Sequence, residues 1–367
     1  MKKIIILLIP FLLCGCSNDM NRKEIDEVSL IHVIGIDYSK NEFTISAVYS
    51  SGGGADPQQK STAGTEQVAE GKGKTAYEAF EDLKLKNKRT VSITNTGFFL
   101  IGEEAAKYGI YDSLDFLSRD ETVKMESLVF VTQGVKAADF IKQGIKDKQT
   151  VHDDMKAISQ KQLEMIKRED NTLVNILNEM KQSYSSVIIP YLISKEKSFQ
   201  IEGYAVFDKQ KLLDYLDNET SNGINFVKNI IRRYPIYIND KVGLLLSFSN
   251  TKLKAALTDK GIIVTIRVNF ETMIKEVTTT EDIFSQEALL KLTEEQNQYI
   301  KKIIEKAVNY STSYGLDILQ LARLVENQHV KEWKNIESTW SSDIYNIKYE
   351  YVFNSKIAKS FILGNER

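Results

Sequence analysis

Apolar residues recur along this chain in strand-like and helix-like rhythms, and the switches between them mark the predicted elements. Residues 30–37 are almost wholly apolar, as a buried strand requires, and residues 43–49 alternate apolar with polar. Asn41 lies in the polar turn between them, which predicts a hairpin. Thr75 is placed to cap a helix running through Lys86, with Ala76, Ala79, Phe80 and Leu83 on one face. The pattern then predicts a strand at 97–102, short helices at 103–108 and 110–117, a strand at 126–132 and a helix at 137–143. Residues 152–168 are polar and read as helix and connector, while Leu173, Ile176, Leu177 and Met180 give 172–181 helical spacing. Pro190 places 187–190 at a strand end or a sheet edge. Residues 199–207 alternate as a strand, and 212–216 read as the start of a short helix.

The last third is cleaner. Strands are predicted at 243–250, 252–257 and 261–274, where Val264, Ile266, Val268 and Phe270 alternate and imply a sheet with one buried face. Leu289, Leu292, Ile300, Ile303, Ile304 and Ala307 form the apolar stripe of a long helix over 289–314, ended by Gly315 at the C′ position. A second helix is expected at 316–325 and a final strand at 344–353. Residues 50–74 differ in kind: three successive glycines, Pro57, paired glutamines and almost no large apolar side chain predict a mobile loop. The fold class expected is α+β or α/β in three domains, each a mixed or antiparallel sheet packed with helices. The boundaries are 25–198, 199–242 and 243–367, because one ordinary core does not serve 367 residues.

The N-terminus has its own grammar. Lys2 and Lys3 precede an apolar run of about ten residues, half of what a helix needs to cross a bilayer core. That is a signal-peptide pattern over 1–15. Leu13-Cys14-Gly15-Cys16 looks like the lipobox of bacterial lipoproteins, with Gly15 before the cleavage point and Cys16 as the lipidated residue. Cys14 does not fit that frame, because Leu13 would then occupy the small-residue position. Residues 16–24 would be a short lipidated tether, holding the folded body within roughly 30 Å of the bilayer surface.

Chemistry is sparse. No cysteine follows Cys16, so the mature chain has no thiol for a disulfide, a metal or a nucleophile. The formal net charge of −2, about −4 without Lys2 and Lys3, does not suggest a nucleic-acid partner. His32, His152 and His329 stand far apart with no metal-ligand spacing, and His32 reads as a core histidine in its strand. Gly71-Lys72-Gly73-Lys74-Thr75 ends like a phosphate loop, but Val68 stands where that motif requires a glycine, so its glycines are assigned to a turn and cap. Glu103-Glu104 and Glu294-Glu295 read as solvated helix faces, and Trp333 with Trp340 as packing on a shared face. No catalytic residue, cofactor site or metal site is assigned.

In order along its length the chain resembles the C-subunit family of spore germinant receptors, the Ger(x)C lipoproteins. The resemblance is carried by Arg22 to Ile25 and Ile34-Gly35-Ile36-Asp37 after the lipobox, Gly73 with Thr75, Ile101 to Glu104, and Phe116 to Asp120. Gly203 to Phe207, Glu219, Gly223, Gly315, Asp317, Trp333 and Trp340 continue it. Ser17-Asn18-Asp19 replaces the family's usual tryptophan, and Asn95 stands where it often has histidine. The resemblance implies three α/β domains and a non-enzymatic subunit. It also implies attachment to the outer face of the spore inner membrane through Cys16, action with the integral membrane A and B subunits, and a role in nutrient-triggered germination. The alternative from another class is the solute-binding lipoprotein of an importer, which predicts two similar lobes built on parallel sheets.

Overall fold

The computed structural model describes residues 27–50, 66–146, 150–182, 184, 186–195, 198–280 and 282–358. Cys16, the predicted signal peptide and most of the predicted loop lie outside them. The chain runs β1 (Val28–Ser39), β2 (Glu42–Ser50), β3 (Glu66–Gly73), α1 (Ala76–Lys86), β4 (Thr90–Ser92), β5 (Phe98–Gly102), α2 (Glu103–Tyr108) and α3 (Ile110–Ser118). Then follow β6 (Leu128–Thr132), α4 (Ala137–Lys146), α5 (Val151–Met165), α6 (Leu173–Met180), β7 (Ile188–Lys195), β8 (Ser198–Asp208) and β9 (Lys211–Tyr215). The remainder is α7 (Asn218–Val227), β10 (Tyr234–Ile238), β11 (Val242–Thr258), β12 (Gly261–Val277), α8 (Gln286–Tyr314), α9 (Leu321–Gln328), α10 (Val330–Ile336), α11 (Trp340–Asp343) and β13 (Lys348–Ala358).

Two mixed sheets result. The first has the order β3-β2-β1-β5-β6-β7-β8-β9, with β4 paired to the start of β1. Its centre, β1-β5-β6-β7, is parallel, and its flanks are antiparallel hairpins. Helices cover both of its faces. One face packs on α1, α2, α3 and α6 through side chains such as Phe80, Leu114 and Ile176. The other packs on α4 and α5 through Phe140, Ile141 and Met155. Strands covered on both faces have no use for alternation, which is why all five residues of β5 and all five of β6 are buried. The second sheet, β10-β11-β12-β13, packs one face on α8 and α9, and that core also takes in Ile188, Tyr204 and Val206 from the first sheet. Mixed sheets packed with helices are therefore the architecture. The predicted boundary at 198 falls at the β7–β8 hairpin, and the first sheet continues beyond it through β8 and β9.

Several expectations need correction. The predicted loop ends early, because residues 66–73 form β3 against β2. Gly71 and Gly73 lie in β3 and not in a turn: a Cβ on Gly71 would lie 2.2 Å from the Ala79 carbonyl oxygen, so the residue lets β3 press against α1. Residues 212–216 are not a helix. Residues 212–215 belong to β9, turned back on β8 by a tight hairpin with Lys209 at φ 57°, and Leu216 follows the strand. The strands predicted at 243–250 and 252–257 are one seventeen-residue strand, whose register shift near Phe248 breaks the alternation. The helix expected from 316 starts at Leu321, after a turn. The last strand begins at Lys348, because 344–346 form a 3-10 turn, and it pairs with β12 in parallel.

Candidate functional site: carboxylate staples and a polar seam

The first turn of a helix presents N–H groups with no partner inside the helix and the positive end of its dipole, so a carboxylate is well placed there. Three carboxylates are so placed, Asp37 and Glu66 from far away in sequence and Asp317 from just ahead of its own helix. Asp37, at the end of the apolar run in β1, accepts from the N–H groups of Ala137 and Ala138 at 2.8 and 2.9 Å and so fixes the start of α4. Glu66 on β3 accepts from Val151 and His152 at 2.6 and 3.1 Å, at the start of α5. Asp317 accepts from Leu321 and Ala322 at 2.7 and 2.8 Å, at the start of α9. Asp37 and Asp317 are 4 % and 2 % exposed. Burial pushes both carboxyl groups up, Asp317 to about 6, against the pull of those backbone donors. The Trp340 indole also favours the charged form of Asp317, although its Nε1 is not in hydrogen-bonding geometry. Trp333 and Trp340 pack edge to face, 5.5 Å apart and buried, as core residues.

A polar seam joins the first sheet and its helices to the second half. Lys167 Nζ donates to the Ser249 carbonyl at 2.6 Å, and Tyr204 donates to Asn225 at 2.8 Å. Tyr184 donates to Glu326 at 3.1 Å, and Gln320 to Glu179. The Lys228 ammonium, nearly buried, pairs with Asp170 at 3.1 Å. Burial pushes the Asp170 carboxyl up, but Lys228 and Arg168 more than offset it and hold it below the usual range. Glu179 moves the other way, raised by burial against the weaker pull of Lys228. At the centre is a cavity of about 10 Å³, lined by Gln162, Asp170, Asn171, Glu179, Tyr204 and Lys228. The Asn171 amide donates to the Val129 carbonyl at 2.9 Å, which leaves its Oδ1 without a protein partner, as is Gln162 Oε1. That room suits one water molecule. Two larger recesses, about 420 Å³ beside Phe80, Thr90 and Asp120 and about 590 Å³ beside Arg232, Leu245 and Met273, are open at the surface.

The fold brings together two of the three histidines. His32 and His152 have ring centroids 5.1 Å apart, with Phe98 against His152. Burial lowers the pKa of His32, His152 lowers it further, and Asp153 opposes them. The expectation of a lone core histidine therefore becomes a half-buried pair, while His329 lies apart with Nε2 3.1 Å from the Ala255 carbonyl. Among the described residues no group of three His, Cys, Asp or Glu side chains is arranged to hold a metal. No helix among them is long and apolar enough to cross a membrane. Cys16 lies outside the described residues. Sequence reading missed the Asp37 and Glu66 staples and the seam, since their partners are up to 142 positions apart, and it missed the Asp317 staple because the helix was expected to start at 316 and not at Leu321.

Comparison with known proteins adds three findings. Residues 21–194 match the family described as the spore germination protein N-terminal domain, and residues 202–360 match the spore germination B3/GerAC-like C-terminal family. The putative spore germination protein YfkR of Bacillus subtilis (strain 168) is 25 % identical over 323 residues, covering 84 % of this chain and 80 % of YfkR. The crystal structure of the GerBC protein superposes with a TM-score of 0.57 at 16 % identity, over 91 % of this chain and 99 % of GerBC, so the fold is shared. With the two families matched in order over most of its length, this chain belongs to the C-subunit family of spore germinant receptors.

Proposed function

We propose that the protein is the lipid-anchored C subunit of a germinant receptor, held through Cys16 on the outer face of the spore inner membrane and docked to the integral membrane A and B subunits. The observation that carries this reading is the pair of germination families spanning residues 21–194 and 202–360 in their proper order. The lipobox at Leu13 to Cys16 supports the anchor. Two acyl chains on one cysteine make a stable attachment where one chain binds only reversibly. A tether of about nine residues then keeps the body in a thin layer at the membrane, where effective concentration makes modest contacts with partners sufficient. Its part in nutrient-triggered germination is docking and transmission, without catalysis. The importer reading requires a solute cleft between two like lobes. Here the two sheets differ in size and strand direction, and the seam between the halves encloses only about 10 Å³.

The test is Cys16→Ala in spores. Mass spectrometry should find a diacylglyceryl cysteine at the mature N-terminus of the parent and none in the variant. The variant should fold, germinate poorly and crosslink much less to an integral membrane partner, and overproduction should restore part of the response. Normal germination of Cys16→Ala spores in every nutrient, with the protein still present, overturns the role of the anchor.

A further inference from the structure

Among the described residues, helices cover one face of the second sheet; the other is open except where Asn229 reaches Asn250 and α5 borders Leu245 and Met273. On β12 and β13 the side chains alternate: Ile266, Val268 and Phe270, with Tyr351 and Phe353, point into the core, while the residues between them face out. The register of β11, β12 and β13 sets out what the open face carries. Lys252 lies directly opposite Arg267, Lys254 lies one outward position along from Lys252, and Lys348 and Lys356 stand on the neighbouring β13. All five are exposed, and none makes an ion pair with a described carboxylate. Only Glu271 and Glu350 oppose them on these rows, and Glu350 accepts from the Thr265 hydroxyl at 3.1 Å.

Like charges placed directly opposite each other on adjacent strands destabilise a sheet, so the Lys252–Arg267 pair is not explained by folding. In a chain with a formal net charge of −2, it segregates positive charge onto one surface. Where Lys252, Lys254 and Arg267 stand, the surface is a face rather than a groove; the whole is about 10 Å by 35 Å from strand spacing and rise, with the recess beside Leu245 and Met273 at its far end. A single row of Asn250, Asn269 and Asn354 crosses its middle; Asn250 accepts from the Asn229 amide at 3.3 Å, and Asn269 and Asn354 offer neutral hydrogen-bonding groups. At one end Phe248 is 50 % exposed, next to the outward-facing Leu245 and Met273. A broad basic face with polar amides and an exposed aromatic ring at its edge matches an anionic bilayer in charge, shape and amphipathicity. An acidic peptide would call for a groove.

We propose that the open face of the β11-β12-β13 sheet rests on an anionic phospholipid surface through Lys252, Lys254, Arg267, Lys348 and Lys356. The contact orients the body on the membrane and needs no lipid on Cys16, so it stands or falls separately from the anchor.

The test uses the full chain carrying Cys16→Ala, co-sedimented with vesicles of equal parts phosphatidylglycerol and phosphatidylcholine and with vesicles of phosphatidylcholine alone. The phosphatidylglycerol-dependent increment is the readout, so any apolar insertion by the N-terminus cancels. Each basic residue at such a surface contributes about fivefold in binding, so Lys252→Glu, Lys254→Glu and Arg267→Glu together should lower the increment by at least about 100-fold. Adding salt to about 1 M should abolish it in the parent. The neutral triple of glutamines at the same positions should lose most of it, with the thermal midpoint unchanged or raised, because the like-charge pair is relieved. The same charge change on the helices, Lys291→Glu with Lys331→Glu and Lys334→Glu, should leave the increment intact. No phosphatidylglycerol-dependent binding by the parent overturns the proposal, as does full retention in the sheet triple or equal loss in the helix triple. Retention on immobilised polyglutamate without vesicle binding overturns it in favour of an acidic polypeptide.

Discussion

Asp37 and Gly102 form a corner whose energetics can be worked from the structure. The Asp37 carboxylate holds two consecutive N–H groups of α4, and Gly102, where β5 meets α2, lies against it: a Cβ built there would be 2.0 Å from Asp37 Oδ1. Asp37→Ala leaves two buried donors without an acceptor. Two charge-assisted hydrogen bonds, less the desolvation that already disfavours the carboxylate, give a loss of about 3 kcal/mol. At about 2–4 °C per kcal/mol for a unit of this size, the midpoint should fall by roughly 6–12 °C. Gly102 has φ −62° and ψ 149°, which alanine adopts without strain, so Gly102→Ala should cost about 1–3 kcal/mol only by displacing that carboxylate. With Asp37 already alanine, the nearest remaining atom is Ala137 N at 3.3 Å. Gly102→Ala should then be neutral or stabilising by about 0.5 kcal/mol, because the unfolded chain loses freedom. The assay is a double-mutant cycle by urea and thermal unfolding, and the expected coupling is about 2 kcal/mol. Additivity within about 0.5 kcal/mol would refute the corner as described.

Other consequences follow from the same contacts. Gly71→Ala should destabilise by at least about 3 kcal/mol in thermal melts, since the clash at 2.2 Å is with helix backbone that cannot rotate away, and a change under 1 kcal/mol would contradict the close β3–α1 approach. Glu66→Ala should cost about 1–2 kcal/mol by leaving the Val151 and His152 N–H groups of α5 without their acceptor, whereas replacing residues 52–65 with a short Gly-Ser link should leave the urea midpoint nearly unchanged; the reverse order would show that residues 52–65 and not Glu66 carry the stability. His32 has a folded pKa below its ordinary 6.5, so the unfolded chain binds more protons there, and its contribution is present above pH 6.5 and lost as pH falls through the folded value. Between pH 7.5 and 5.5 the parent should therefore lose more stability than His32→Gln, and parallel pH profiles would remove the histidine pair as the cause.

What the sequence by itself determined is what neighbouring residues can encode. Thr75 capped α1 through its hydroxyl, Gly315 closed α8 in the left-handed conformation, and the alternation of Val264, Ile266, Val268 and Phe270 set the buried face of β12. Those signals act within a turn or along one strand, so they survive reading in one dimension. Residues 212–216 are apolar at all but Asp214 and too short to separate helix from strand, and pairing with β8 decided for strand as far as Tyr215. The lack of large apolar side chains hid β3, because a strand against a close helix needs Gly71 and Gly73 more than it needs bulk. Only the tertiary structure decided that Asp37 meets an α-helix 100 residues away, that His32 and His152 face each other, and that Lys252 lies opposite Arg267. Hydrogen bonds and charges act at a few ångströms, and which residues reach that distance is settled by strand order and register, long-range properties that no local pattern of this chain contains.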